Sequence, residues 1–111
     1  MDILFTTISP MGYTVDCLQT QWDNHILIAH PNMKGKENVV ESVISNPTAV
    51  YNSAEFPSRD IYFSESGNTN AKLRMCKVIV ETDTDNVARI ISAWMQPNIS
   101  GNIGGIKYAK L

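Results

Sequence analysis

A chain of 111 residues with a formal net charge of −2 can form one hydrophobic core but not two ordinary domains. Its composition, 43% apolar and 18% charged, excludes an intrinsically disordered protein, and its acidic balance argues against nucleic-acid binding through overall charge. No run approaches the roughly 18 apolar residues of a membrane span, and the start of the chain lacks the basic residues of a signal peptide. We therefore expect one cytoplasmic domain over residues 1–111 that does not enter a membrane.

The N-terminal segment predicts a β-hairpin. Residues 3–8 and 13–18 have the apolar and β-branched side chains of short strands, and the sequence Ser-Pro-Met-Gly between them is typical of a turn.

Two helices are expected next. Thr20 is a typical N-cap residue and a proline follows His30, so we expect a helix from Gln21 to about His30, because proline disfavours helical geometry in the residue before it. On an α-helical wheel His25 and His30 lie about 140° apart, on opposite sides of the apolar stripe. A second helix is indicated by four apolar residues at helical spacing: Val39, Val40, Val43 and Ile44.

The second half of the chain predicts an antiparallel meander. A short edge strand is expected at 48–51, a strand at 59–64, and two long β-branched strands at 73–81 and 87–95. Residues 98–111 are expected to form a loop or a C-terminal edge strand. The predicted fold class is α+β, with the N-terminal hairpin and two helices packed on an antiparallel sheet of about four strands. The other face of that sheet would be partly open and could contain a binding groove.

Six side chains have the chemistry that RNA cleavage without a metal requires. The reaction needs a base for the 2′-hydroxyl proton, cations for the phosphorane and an acid for the leaving oxygen. Histidine titrates near neutral pH, whereas arginine and lysine carry the positive charge and hydroxyl groups can orient the phosphate. The candidates in chain order are His25, His30, Arg59, Tyr62, Lys77 and Ser92.

The first three candidates also have ordinary structural explanations. His25 could be a histidine at the core edge that forms a hydrogen bond to the sheet. His30, in the last helical turn, could complement the helix dipole and cap its carbonyl groups. Arg59 could be a surface residue that pairs with Asp60 or Glu55.

The strand candidates have such explanations too. Tyr62 on a mid-sheet strand is more often a core residue than a catalytic one. Lys77 interrupts an apolar run, and a lysine in a central strand needs either solvent or a counter-charge. By simple alternation Ser92 shares a sheet face with Ile90 and Trp94, where a serine is usually just a small strand residue.

No metal or cofactor motif is present in the sequence. It has no glycine-rich phosphate loop, no His-Glu-x-x-His pattern and no Gly-x-Ser-x-Gly elbow. Cys17 and Cys76 lack metal-type spacing and are expected to be buried free thiols rather than a disulfide. We therefore expect neither a metal nor a cofactor.

Four short motifs follow one another along the chain. A Trp-x-x-His helix that ends in His-Pro covers residues 22–31, and a helix closed by Asn-Pro covers 39–47. An Arg-x-x-Tyr strand at 59–62 comes next, then an apolar strand with Lys77 and a strand with Ser-Ala-Trp at 92–94. In this order, over about residues 10–97, they resemble the phage-associated nuclease domains of the barnase–EndoU–colicin–RelE superfamily.

The resemblance implies a toxin-like, metal-independent endoribonuclease that acts on RNA and has an immunity or antitoxin protein as a partner. The site it implies consists of His25, Arg59, Tyr62, Lys77 and Ser92, with His30 as a further candidate. The chain departs from the family in having Ser92 where threonine is commoner and Trp94 where tyrosine is commoner. Because fold does not determine function, two alternatives stay open: a non-catalytic module on the same fold that binds a phage or toxin–antitoxin partner, and an inactive relative that neutralises a toxin.

Overall fold

Seven strands form a single sheet in the computed structural model, which describes residues 2–83 and 85–111. The strands are β1 Ile3–Ile8, β2 Thr14–Leu18, β3 Ala49–Ser53, β4 Arg59–Glu65, β5 Met75–Thr82, β6 Val87–Gln96 and β7 Ile103–Ala109. Their order across the sheet is β1-β2-β6-β5-β4-β3-β7. The prediction of an antiparallel sheet of about four strands is therefore wrong.

The sheet is mixed because the N-terminal hairpin becomes part of it. β2 lies parallel to β6, with Thr14 opposite Val87 and Asp16 opposite Arg89, whereas every other neighbouring pair is antiparallel. At the other end β7 pairs with β3 after the chain has crossed β5, β4 and β3. Alternation in a sequence indicates a strand and its faces, but it does not identify the strand's neighbours.

Two short helical regions connect β2 to β3. The first, which we call the first helical segment, has α-helical turns at Gln19–Gln21 and Leu27–Ala29 on either side of a π-helical turn, Trp22–Ile26. It begins at Gln19 without a side-chain cap, so Thr20 is not the N-cap. The second helix spans Glu37–Ser45. No helix among the described residues has the length and hydropathy that crossing a membrane would require.

The main core lies between the helices and one face of the sheet. The second helix packs on β1, β4 and β5, and the first helical segment packs beside β6. Burying each of the larger apolar side chains contributes roughly 1.5–3 kcal/mol. The largest fully buried ones in this core are Tyr62, Ile26, Met33, Ile44, Ile90, Val15, Val40, Val43, Val50 and Val78.

The opposite face, which we call the open face, is only partly covered. Residues 97–102, the crossover, run over it from β6 to β7, and Ile99 packs on a small cluster of Ile61, Phe63 and Met75. The crossover thus leaves part of the face accessible between β4 and β6.

A β-bulge in β6 decides which side chains reach the open face. Ile79 is opposite Ser92 and Val80 is opposite Ile90, so Ile91 is an extra residue in the ladder. The extra residue interrupts the alternation of side chains between the two faces of the sheet. Ile90 therefore faces the core while Ser92 and Trp94 face the other way, and the prediction that all three share a face is wrong.

We expect the protein to lose stability at alkaline pH, because two thiols and one phenol are buried in their protonated forms. Cys17 and Cys76 are free and fully buried, and burial raises the pKa of each thiol to about 12, with Glu37 adding to the effect at Cys17. Burial likewise raises the pKa of Tyr62 to about 12. Because the fold favours the protonated forms, their stabilisation is complete below the ordinary thiol value of 9.0 and is lost as the pH rises towards 12.

Urea unfolding at a series of pH values measures this loss. We expect the urea concentration at the midpoint of unfolding to fall steadily once the pH exceeds 9.0, the ordinary pKa of a thiol. The variant Tyr62→Phe should show a smaller slope above pH 10.0, where the phenol begins to contribute. A midpoint that stays constant throughout this range would contradict the expectation.

Candidate functional site

A pocket of about 190 Å³ opens on the uncovered part of the open face. We call it the sheet pocket. Its wall includes Arg59 at the start of β4, Lys77 in the middle of β5 and Trp94 on β6. These three strands are neighbours, and Lys77 lies directly opposite Trp94 in the ladder, so side chains distant in sequence meet here. The rest of the lining includes Glu55, Phe56, Ile79 and Asn102.

Lys77 is a buried cation without a carboxylate partner among the described residues. Its side chain is 4% exposed, and Nζ donates to the carbonyl oxygens of Ser100 and Gly101 at 3.0 and 2.8 Å. Nζ also lies 5.7 Å from the ring centroid of Phe63 and 5.1 Å from that of Trp94. Burial lowers the pKa of Lys77. The lysine was expected to need solvent or a counter-charge, and instead backbone dipoles and aromatic faces hold it.

Gly101 allows the crossover to approach Lys77 this closely. Its φ is +93°, and a Cβ at this position would lie 2.8 Å from Nζ. The backbone conformation therefore favours glycine, and a side chain here would displace the Lys77 ammonium from its present position.

Arg59 forms an ion pair across the sheet. Its Nε lies 3.4 Å from Oε2 of Glu81, which is its register partner on β5, and its guanidinium lies 4.2 Å from the ring centroid of Phe56. The alternative of a surface pair with Asp60 or Glu55 is not what the structure contains. Glu81 is thus a site residue that sequence reasoning missed, because only the β4–β5 register identifies it.

His30 contacts the sheet pocket through Trp94. The imidazole and the indole stack with centroids 5.1 Å apart and planes 28° apart. Burial lowers the pKa of His30, and the positive charge of His25 lowers it further. The imidazole of His30 is therefore predominantly neutral at pH 7.

His25 lies in the π-helical turn and is exposed. In this turn the backbone N–H of Leu27 donates to the carbonyl of Trp22, five residues back, so α-helical wheel angles do not apply. His25 is close enough for its charge to lower the pKa of His30.

The end of β2 explains how His30 reaches the open face. β6 extends beyond β2, and its free edge is flanked by the first helical segment. Gln21 Nε2 donates to the carbonyl oxygen of Ile91, the bulge residue, at 2.6 Å. The segment therefore ends beside the second half of β6, where His30 meets Trp94.

The two remaining candidates lie on opposite faces. Ser92 is 7% exposed and lies on the open face opposite Ile79, next to the sheet pocket. Tyr62 is fully buried on the helix-covered face, and its hydroxyl forms a hydrogen bond with Ser9. The structure therefore does not bring Tyr62 to the other candidates, and its raised pKa keeps the phenol protonated at neutral pH.

Two further features of the surface bear on the candidate site. No group of three or more His, Cys, Asp and Glu side chains among the described residues is arranged to hold a metal ion. A larger hollow of about 450 Å³ lies at the β5–β6 hairpin, and its lining contains none of the six candidates. Two of the six candidates, Arg59 and Lys77, line the sheet pocket, and His30 stacks on the Trp94 ring that forms part of its wall.

No protein family, no curated protein and no solved structure matches this chain. A function must therefore be argued from the chemistry of the site.

Proposed function

We propose that this protein is a metal-independent endoribonuclease that cleaves RNA by acid–base transesterification. The observation that carries the proposal is that one indole ring, Trp94, contacts both a predominantly neutral histidine and a buried lysine, with Arg59 in the same pocket. A proton acceptor and two cations beside one concave surface are the groups that this reaction needs.

The two histidines supply the proton transfers. His30, with its lowered pKa, takes the proton of the 2′-hydroxyl as that oxygen attacks phosphorus. His25, exposed and nearby, gives a proton to the departing 5′-oxygen, which leaves a 2′,3′-cyclic phosphate. Two neighbouring titratable groups with different environments can divide the roles of base and acid in this way.

The two cations stabilise the phosphorane. The Lys77 ammonium uses two of its three protons on Ser100 and Gly101, which leaves one for a phosphate oxygen. The Arg59 guanidinium can hold two phosphate oxygens at once if the substrate replaces Glu81 as its partner. Ser92 would orient the phosphate from the neighbouring strand.

The order of motifs along the chain supports the same reaction. The resemblance to phage-associated nucleases implies a site of His25, Arg59, Tyr62, Lys77 and Ser92, of which the buried Tyr62 has no part in this mechanism. The same resemblance supports the proposal of a toxin-like role in the cytoplasm. An immunity or antitoxin protein would then be the partner that protects the producing cell.

A second candidate function is a protein-binding module without catalysis. Two observations favour it: the net charge of −2, and the pairing of Arg59 with Glu81, which partly neutralises one of the two cations. Such a module would bind a phage or toxin–antitoxin protein and would turn over no RNA.

Incubation of the purified protein with total RNA in excess EDTA tests the proposal. The wild type should cut RNA and leave 2′,3′-cyclic phosphate ends. His25→Ala and His30→Ala should each lower the rate by about 100-fold, the usual size of a general acid or base contribution. Asn24→Ala, an exposed change on the same π-helical turn, serves as the matched control and should cut at the wild-type rate.

A folded wild-type protein that cuts no RNA would refute the ribonuclease and favour the binding module, and a partner pull-down would then follow. Cleavage that is unchanged in both histidine variants would refute the assignment of the acid and the base.

A further inference from the structure

The Trp94 indole is held in one orientation by Gln96. Its Nε1 donates to Oε1 of Gln96 at 2.9 Å, while Nε2 of Gln96 donates to the carbonyls of Asn98 and Ser100 at 2.7 and 3.0 Å. Only one orientation of the amide satisfies all three bonds, because its oxygen must accept and its nitrogen must donate. The crossover therefore fixes Gln96, and Gln96 fixes the indole.

The indole in turn restricts the imidazole of His30. The His30 backbone ends the first helical segment: its N–H donates to the carbonyl of Ile26 at 2.8 Å, and its φ of −136° leaves the helical range. An unpacked side chain at such a position samples several rotamers. Stacking on Trp94 selects one of them and places the ring beside the sheet pocket.

The same network also holds the lysine. The carbonyl oxygen of Ser100 accepts hydrogen bonds from both Gln96 and Lys77. The crossover thus sets the positions of the Trp94 ring and the Lys77 ammonium relative to each other, although neither residue belongs to it.

We propose that Trp94, fixed by Gln96, is a positioning residue that holds His30 at the mouth of the sheet pocket. This inference rests on the proposed ribonuclease function, in which His30 is the base. Trp94 itself touches no reacting atom in this mechanism and acts through His30. Small misplacements of a catalytic group lower rates by up to about 100-fold, so the effect on cleavage should be large.

NMR titration of the histidine ring protons tests the inference without relying on activity. The chain has two histidines, and His25→Ala assigns their signals. In Trp94→Ala the His30 ring loses the surface that buries it, so its titration midpoint should move upward. Cleavage of RNA should fall by about 10- to 100-fold in kcat with little change in KM.

Two further variants distinguish the contribution of the Trp94 ring from that of its hydrogen bond to Gln96. Trp94→Phe keeps an aromatic surface but lacks the N–H, and Gln96→Leu keeps the indole but removes its acceptor. Both should give smaller upward shifts of the His30 midpoint than Trp94→Ala. Gln96 is only half-buried, so we expect Gln96→Leu to fold. This variant therefore provides the test if Trp94→Ala does not fold.

Phe56→Ala is the matched control for the titration. It removes another ring from the sheet pocket, but that ring contacts Arg59 rather than His30, so the His30 midpoint should match the wild type. A His30 midpoint that is unchanged in folded Trp94→Ala or Gln96→Leu overturns the inference. Failure of the proposed function is distinct, because it appears as a wild-type protein that cuts no RNA.

Discussion

Replacing Lys77 by methionine should lower RNA cleavage by about 10³-fold, the upper range for removing one donor that stabilises transition-state charge. The lysine is 4% exposed and is held between the rings of Phe63 and Trp94, so its charge acts where water is largely excluded. Initial rates of cleavage of a labelled RNA in EDTA measure the effect. Most of the loss should be in kcat, because the interaction strengthens as the phosphorane forms.

The Lys77→Met protein should remain folded. Methionine is unbranched and fits between two aromatic rings, and losing a buried ammonium compensates in part for the two carbonyls that lose their donor. We expect the free energy of unfolding to change by about 1 kcal/mol or less. Lys72→Met is the matched control, because it removes a positive charge from an exposed lysine. This variant should cut RNA at the wild-type rate. A folded Lys77→Met protein with wild-type activity would contradict the assignment of Lys77.

Replacing Lys107 by methionine should lower the free energy of unfolding by about 2–3 kcal/mol. Asp60 is 1% exposed, and its Oδ1 lies 2.8 Å from Nζ of Lys107, while its Oδ2 has no hydrogen-bond partner among the residues that the structure describes. Removing the lysine leaves a buried carboxylate without a counter-charge. Because the Lys107 side chain is 33% exposed, the cost should be somewhat less than the roughly 3–5 kcal/mol of breaking a fully buried pair.

Urea unfolding of three variants measures this ion pair. The double variant Asp60→Asn/Lys107→Met should recover at least half of the loss, because its amide carries no charge that needs a partner. Lys110→Met, an exposed change at the next lysine of the chain, should cost less than about 0.5 kcal/mol. A Lys107→Met protein as stable as the wild type would show that the buried carboxylate is compensated in another way.

Local patterns in the sequence predicted most of the elements. Residues 3–8 form the expected first strand, and the apolar spacing around Val43 gave a second helix that the structure has at Glu37–Ser45. The C-terminal edge strand, one of the two alternatives for residues 98–111, exists as β7 at Ile103–Ala109. Each of these features depends on the periodicity and the turn residues of one short segment. All of that information lies in consecutive residues, so it can be read without knowing the fold.

The partners of the candidate residues could not be predicted in the same way. Arg59 pairs with Glu81 because of the β4–β5 register, and Lys77 is held by the carbonyls of Ser100 and Gly101, which contribute no side-chain signal. Backbone groups of any residue can accept such bonds, so composition says nothing about where they will lie.

The type of most segments, their apolar faces and the residue types of the proposed ribonuclease site can be deduced from the amino-acid sequence. Three further features appear only in the folded chain: β2 lies parallel to β6, a bulge at Ile91 separates Ser92 from the face of Ile90, and His30 rather than His25 contacts Trp94. Periodicity specifies which face of an element is buried. Strand order, bulges and ring contacts depend instead on free-energy differences between arrangements of distant segments, and no single segment contains that information.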